Sequence, residues 1–162
     1  MSSHITSPNL FSSSGIYPIK NLEIDSSARE FAFITKIAKQ AQILGIGESA
    51  HGSQGYILAR TKLIKHLVER VGFRLILLES GFDKTRIVNK YLQACKHNSN
   101  IPDPKKALSK LSAMHQNIST VKLLKYLCRF NNVNPKDSVI FQGIDIWESP
   151  GRIEKLLKRQ LS

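Results

Sequence analysis

The sequence predicts an α/β fold, an open parallel β-sheet flanked by helices. Three observations carry that expectation. Ile43–Gly47, Phe73–Glu79 and Ser138–Asp145 are short apolar runs that suit buried strands. Around them, apolar residues recur at helical spacing. The order of elements is one helix and then β-α-β-α-α-α-β-α, the signature of strands that lie parallel in a twisted sheet with helices on its faces.

Taken in order, residues 1–20 are rich in Ser and Pro, lack periodicity and read as a loose arm ahead of a single domain spanning 21–162. Asp25 is placed to cap a helix running to about Gln42, with Phe31, Ile34, Ala38 and Ala41 on one face. The first strand follows, then the loop Glu48–Gly52. Ser53 can cap a long helix that ends at Gly72. After the second strand, Asp83 opens a helix through about Lys96. Asp103-Pro104 is a cap and first-turn pair for a short helix. Asn117–Asn131 carries Val121, Leu124 and Leu127 at helical spacing. The third strand leads to Ser149-Pro150, the start of a terminal helix. No internal repeat is visible.

Composition narrows the class. A chain of 162 residues, 41% of them apolar, supports one domain with a real core. No apolar run approaches the roughly 18 residues of a membrane span. The N-terminus lacks the basic start and apolar stretch of a secretory signal. Cys95 and Cys128 do not make a disulfide framework and read as free thiols, which fits a cytoplasmic protein. The net charge is +12, and between Gly81 and Phe130 ten Lys/Arg stand against two Asp. That excess raises a nucleic acid or an acidic partner. Alternation with leucines and the lack of a stacking aromatic surface favour solvated helix faces instead.

The acids carry the functional reading. Glu48, Glu79 and Asp145 each fall at the end of a predicted strand, and in a parallel sheet all three carboxyl ends share one edge. Ligands of open α/β folds bind outside that edge. Acids gathered there repel one another unless a cation sits among them. His51 follows the first strand closely. Arg60 falls on the line Tyr56, Arg60, Leu63, Leu67, which should face the core, where a guanidinium needs a carboxylate partner.

These residue types permit hydrolysis. A histidine poised by a carboxylate can take a proton from water near neutral pH, and an arginine can hold substrate or a developing oxyanion. Glycines at 45, 47, 52 and 55 keep the surrounding backbone slim. Other chemistries fit less well. Gly45-Ile46-Gly47-Glu48-Ser49-Ala50 matches a dinucleotide fingerprint formally, but Glu48 would set a negative charge beside the pyrophosphate. A metal held by Glu48, His51 and Glu79 would rest on one histidine without an HExxH pattern. No G-x-S-x-G marks a serine nucleophile. His4, His66, His97 and His115 are scattered and receive no role.

The block from Ile43 to Leu92, with GESAHG, an arginine on the next helix, GF, a strand ending in Glu and a helix carrying Asn89, resembles the N-terminal part of the erythromycin esterase family. FQGIDIW resembles the family's later G-x-D strand, so the likeness runs from about Ile43 to Trp147. It implies a hydrolase without metal or cofactor that opens a macrolide lactone or related ester with a histidine-activated water. His51 would be the base, Glu48 and Glu79 would orient it, Arg60 would support the carboxylates or the substrate, and Asp145 would lie on the substrate side. Where the family usually has a tryptophan, an acid and an arginine, this sequence reads His115, Ser119 and Cys128. Family members run well beyond this length, so the resemblance implies a truncated or split form. Such a form would have low activity alone, and a complementary chain or self-association would complete it. The alternative from another class is a non-catalytic basic module that contacts nucleic acid or an acidic partner.

Overall fold

Two parallel strands, β1 (Leu75–Gly81) and β2 (Ile140–Asp145), stand at the centre of the fold. The computed structural model describes residues 17–47, 50–98 and 100–145. Leu75 pairs with Ile140, Leu78 with Gly143 and Gly81 with Asp145, with an irregularity between Leu78 and Gly81. Three helices make the crossover between the strands: α3 (Arg86–Lys96), α4 (Pro104–Leu108) and α5 (Ile118–Val133). Ahead of β1 come α1 (Ala32–Ala38) and α2 (Gln54–His66). The architecture is α/β, a small parallel sheet flanked by helices.

Local chemistry explains the starts of α4 and α5 and the stop of the helical run that follows α2. Asp103 accepts from the Lys105 amide at 2.9 Å and Pro104 fills the first turn of α4. Asn117 accepts from the Thr120 amide at 2.9 Å and opens α5. Ser53 stands ahead of α2 with extended backbone but no side-chain cap bond. After His66 the chain widens into one π turn, Leu67–Val71, and stops at Gly72, whose φ of 98° is left-handed. Only a residue without a Cβ adopts that conformation at low cost.

The core lies on one face of the sheet. Val88, Leu92 and Cys95 of α3 meet Leu123, Leu124 and Leu127 of α5, with Val139 and Phe141 beneath them. Ile76 and Leu78 pack against the same cluster. On the other face Leu75, Leu77, Ile140 and Ile144 are exposed.

The outer edge of β2 is closed by side chains. The Ile140 amide donates to the Arg74 carbonyl on the β1 side, so the amides of Val139, Phe141 and Gly143 point away from β1. Val139 N donates to Asn131 Oδ1 at 2.8 Å, Phe141 N to Asn89 Oδ1 at 2.8 Å and Gly143 N to Thr85 Oγ1 at 2.9 Å. The two asparagines also donate back, Asn131 to the Val139 carbonyl and Asn89 to the Phe141 carbonyl. Residues from α5, from α3 and from the turn before α3 therefore act as the neighbouring strand that β2 lacks among the described residues.

Residues 20–31 are tied to the helices by cations. Lys62 is fully buried, and its Nζ donates to Glu30 Oε2 at 3.0 Å and to the Asn21 carbonyl. Lys65 donates to the Ile24 carbonyl at 2.8 Å. Lys122 and Arg129 of α5 pair with Glu23 and Asp25.

Four expectations need correction. Ile43–Gly47 is not a strand; two of its five residues are glycines, which weaken pairing, and Ile43 is 82% exposed. Asp25 caps no helix, since its carboxylate meets Arg129, and the helix begins only after a 3₁₀ turn at Arg29–Phe31. On α2 the fully buried positions are Ile57, Thr61, Lys62 and His66, whereas Tyr56 is exposed, so the helix presents a different face from the predicted line. Cys95 and Cys128 are joined by a disulfide, with Cα atoms 5.2 Å apart where α3 crosses α5, and are not free thiols. The terminal helix expected from Ser149, and the arm up to residue 16, lie outside the described residues.

Candidate functional site

Beyond the outer edge of β1 lies a cleft of about 490 Å³. Its walls are the irregular stretch Gln42–Gly47, the inner side of α2, β1 itself and the turn carrying Met114 and His115. Most of the lining is apolar, including Ile43, Ile46, Leu67, Leu75 and Leu77. His51, Arg60, Glu79, Thr61, His115 and Thr120 add polar groups.

His51 is exposed in the turn before α2, and Gly52 beside it has φ 80°. Arg60 is half-buried, two turns into α2. Glu79 is exposed near the carboxyl end of β1. The fold thus brings His51, Arg60 and Glu79 to one cleft from three separate elements. Asp145 ends β2 opposite Gly81, on the same carboxyl edge as Glu79, but does not line the cleft. Glu48 lies outside the described residues. A Cβ added at Gly45, Gly47, Gly52 or Gly55 would meet no atom within 4 Å, so these glycines border open space.

The carboxyl end of β1 is held from two directions. Gly143 lies so close beneath it that a Cβ there would be 2.5 Å from the carbonyl oxygens of Ser80 and Gly81. That close approach accounts for glycine in FQGID. From the turn ahead of α5, the amide and the hydroxyl of Ser112 both meet the buried Ser80 hydroxyl at 3.2 Å. His115, 2% exposed, contacts the Glu79 carbonyl through Nε2 at 2.9 Å. A carbonyl only accepts, so Nε2 carries the proton of this bond.

His115 is the cleft residue that sequence reasoning passed over. It lies in a 3₁₀ turn, Ala113–His115, where no periodic pattern marks a buried position. The available signal was its place just ahead of the Asn117 cap, in a turn short enough to fold back on a strand end. Among the described residues, no three of His, Cys, Asp and Glu gather as a metal ion would require. No helix of the described residues is long and apolar enough to cross a membrane.

No family model matches the chain. Over 65 residues it is 40% identical to the Escherichia coli erythromycin esterase type I, covering 40% of this chain and 16% of that protein. Over 134 residues it is 25% identical to the Escherichia coli erythromycin esterase type II, covering 83% of this chain and 30% of that protein. A Bacillus cereus crystal structure superposes with a TM-score of 0.68 at 24% identity, over 80% of this chain and 30% of the other. The crystal structure of a succinoglycan biosynthesis protein gives 0.67 at 22%, over 80% and 31%. Both structures share the fold. The matched stretch is less than a third of each of these four proteins.

Proposed function

We propose that this chain, which resembles the erythromycin esterases over the stretch that builds the cleft, carries an ester- or lactone-hydrolysing site. His51 takes a proton from water, and Glu48 and Glu79 orient and tune it. Arg60 offsets the carboxylates or meets the oxyanion that forms as water adds to the carbonyl carbon. Collapse of the tetrahedral adduct expels the alkoxide, which leaves as the alcohol after taking the proton held by His51. The acid and alcohol remain joined when the ester was a lactone. The apolar walls suit the hydrocarbon part of a neutral ester. Asp145, outside the lining, would meet only substrate that extends past the cleft.

One observation carries this reading: a histidine, an arginine and a glutamate from a loop, a helix and a strand line the same cleft. The matched stretch is less than a third of the esterases it resembles. The test is lactone or ester opening followed by mass shift, wild type against His51→Ala. Activity should vanish in the variant. Activity that survives the substitution removes His51 as the base, and a wild type that opens no ester or lactone removes the hydrolase reading.

A further inference from the structure

We infer that His115 is a positioning residue for Glu79, holding the carboxyl end of β1 in register with the cleft. The inference rests on the hydrolase reading above for its functional consequence, though not for the bond itself. Leu75, Leu77 and Glu79 form the strand face that alternates away from the core. The backbone groups of Leu75 and Leu77 also point away from β2, because the Ile140 amide bonds the Arg74 carbonyl and regular parallel pairing alternates as far as Leu78; beyond it the pairing is irregular, and the Glu79 carbonyl faces His115. At Glu79 no strand of the described residues lies on that side. The Nε2–H of His115 bonds the Glu79 carbonyl there, at 2.9 Å.

This placement has three consequences. The ring is nearly excluded from water, so its bond to the carbonyl is not exchanged readily for a water bond. The turn carrying it is pinned by the Ser80–Ser112 contacts, so the ring does not follow a fraying strand but restrains it. The Glu79 side chain leaves the same residue whose carbonyl is held, so its direction into the cleft is set through one Cα. A misplacement of about 1 Å at a reacting group can lower a rate on the order of 100-fold. A ring that fixes Glu79 thereby acts on the reaction without touching substrate.

The test uses the full chain and two variants. His115→Gln keeps an N–H donor of similar reach, and His115→Phe keeps the bulk and removes the donor. In the wild type, nitrogen shifts of the His115 ring at about pH 8 should show the Nε2–H tautomer. In His115→Phe, the amides of Ser80 and Gly81 should exchange on the order of 10-fold faster, and His115→Gln should restore them. Hydrolysis should lose kcat on the order of 10-fold or more in His115→Phe with KM nearly unchanged, and recover in His115→Gln. A ring protonated on Nδ1 alone, or unchanged exchange in a folded His115→Phe, overturns the inference. So does a fall confined to KM. If His115→Phe fails to fold, the wild-type tautomer and the His115→Gln exchange still decide the anchor. If the wild type shows no hydrolysis, the hydrolase reading falls, while the nitrogen shifts and the exchange rates still settle whether His115 holds Glu79.

Discussion

A single methyl group decides the spacing of the two strands at their carboxyl ends. At position 143 it would press on two β1 carbonyl oxygens at 2.5 Å, and backbone cannot move aside as a flexible side chain can. Gly143→Ala should cost about 1–3 kcal/mol, as overpacking does, measured by urea denaturation, and should displace the strand end that bears Glu79. His66 is a second residue with a readable consequence. Burial pushes its imidazole below the ordinary histidine range and the Arg70 cation adds to this, outweighing the Ala28 backbone bond and Glu69. With the folded value depressed, the unfolded chain binds the proton first as pH falls below about 6.5. The stabilisation is therefore complete above that pH and is lost as the medium becomes more acidic. The melting temperature should fall between about pH 7 and 5, and His66→Gln, which can keep a bond to Thr35 Oγ1, should flatten that part of the curve. A pH-independent wild type would remove this account. At this scale the sequence was informative for residues with an unusual chemical type in an unusual place. His51, Arg60 and Glu79 stood out because an expected strand-loop-helix pattern framed them, although its first strand did not form. Lys62 and His115 did not, because their burial depends on residues far along the chain, Glu30 for one and the end of β1 for the other.

Elements were more legible than their pairing. The Asp103-Pro104 and Asn117 caps act locally, through bonds spanning two or three residues, and both helices start where those residues place them. The strand expected at Ile43–Gly47 failed for the opposite reason. Strand formation needs a partner, and a short run with two glycines gains too little from local preference to hold one. β2 succeeds because its partners on the outer side are asparagine and threonine side chains. That device predicts a measurable cost. Asn131→Ala leaves the buried amide and carbonyl of Val139 without their bonds, so it should destabilise the chain by about 2–4 kcal/mol, as two lost buried bonds would. Asn131→Asp, which keeps an acceptor and loses the donor, should fall between the two in urea midpoint. Equal midpoints for wild type and Asn131→Ala would mean that water replaces the side chain.

At the scale of the molecule, the +12 charge is the property that sequence alone states most plainly, and the structure divides it by purpose. Lys62 and Lys65 are turned inward onto residues 21–30, whereas Lys105, Lys106 and Lys110 are exposed on and just after α4. A surface of solvated cations without stacking aromatics binds polyanions weakly through counterion release alone. Binding to duplex DNA should be sequence-independent and should weaken steeply between about 50 and 200 mM salt. Tight binding that persists at the higher salt, and that is lost on replacing Lys105, Lys106 and Lys110, would favour the basic-module alternative.

The side-chain ladder along β2 also gives the sheet a direction. A strand whose outward amides are already bonded offers no template to an incoming strand. Within the described residues, growth by backbone pairing is therefore possible on the β1 side alone, where Leu75 and Leu77 turn their backbone groups outward. That side is also the wall of the cleft. Enlarging the sheet and filling the cleft are, for this fold, competing uses of one edge.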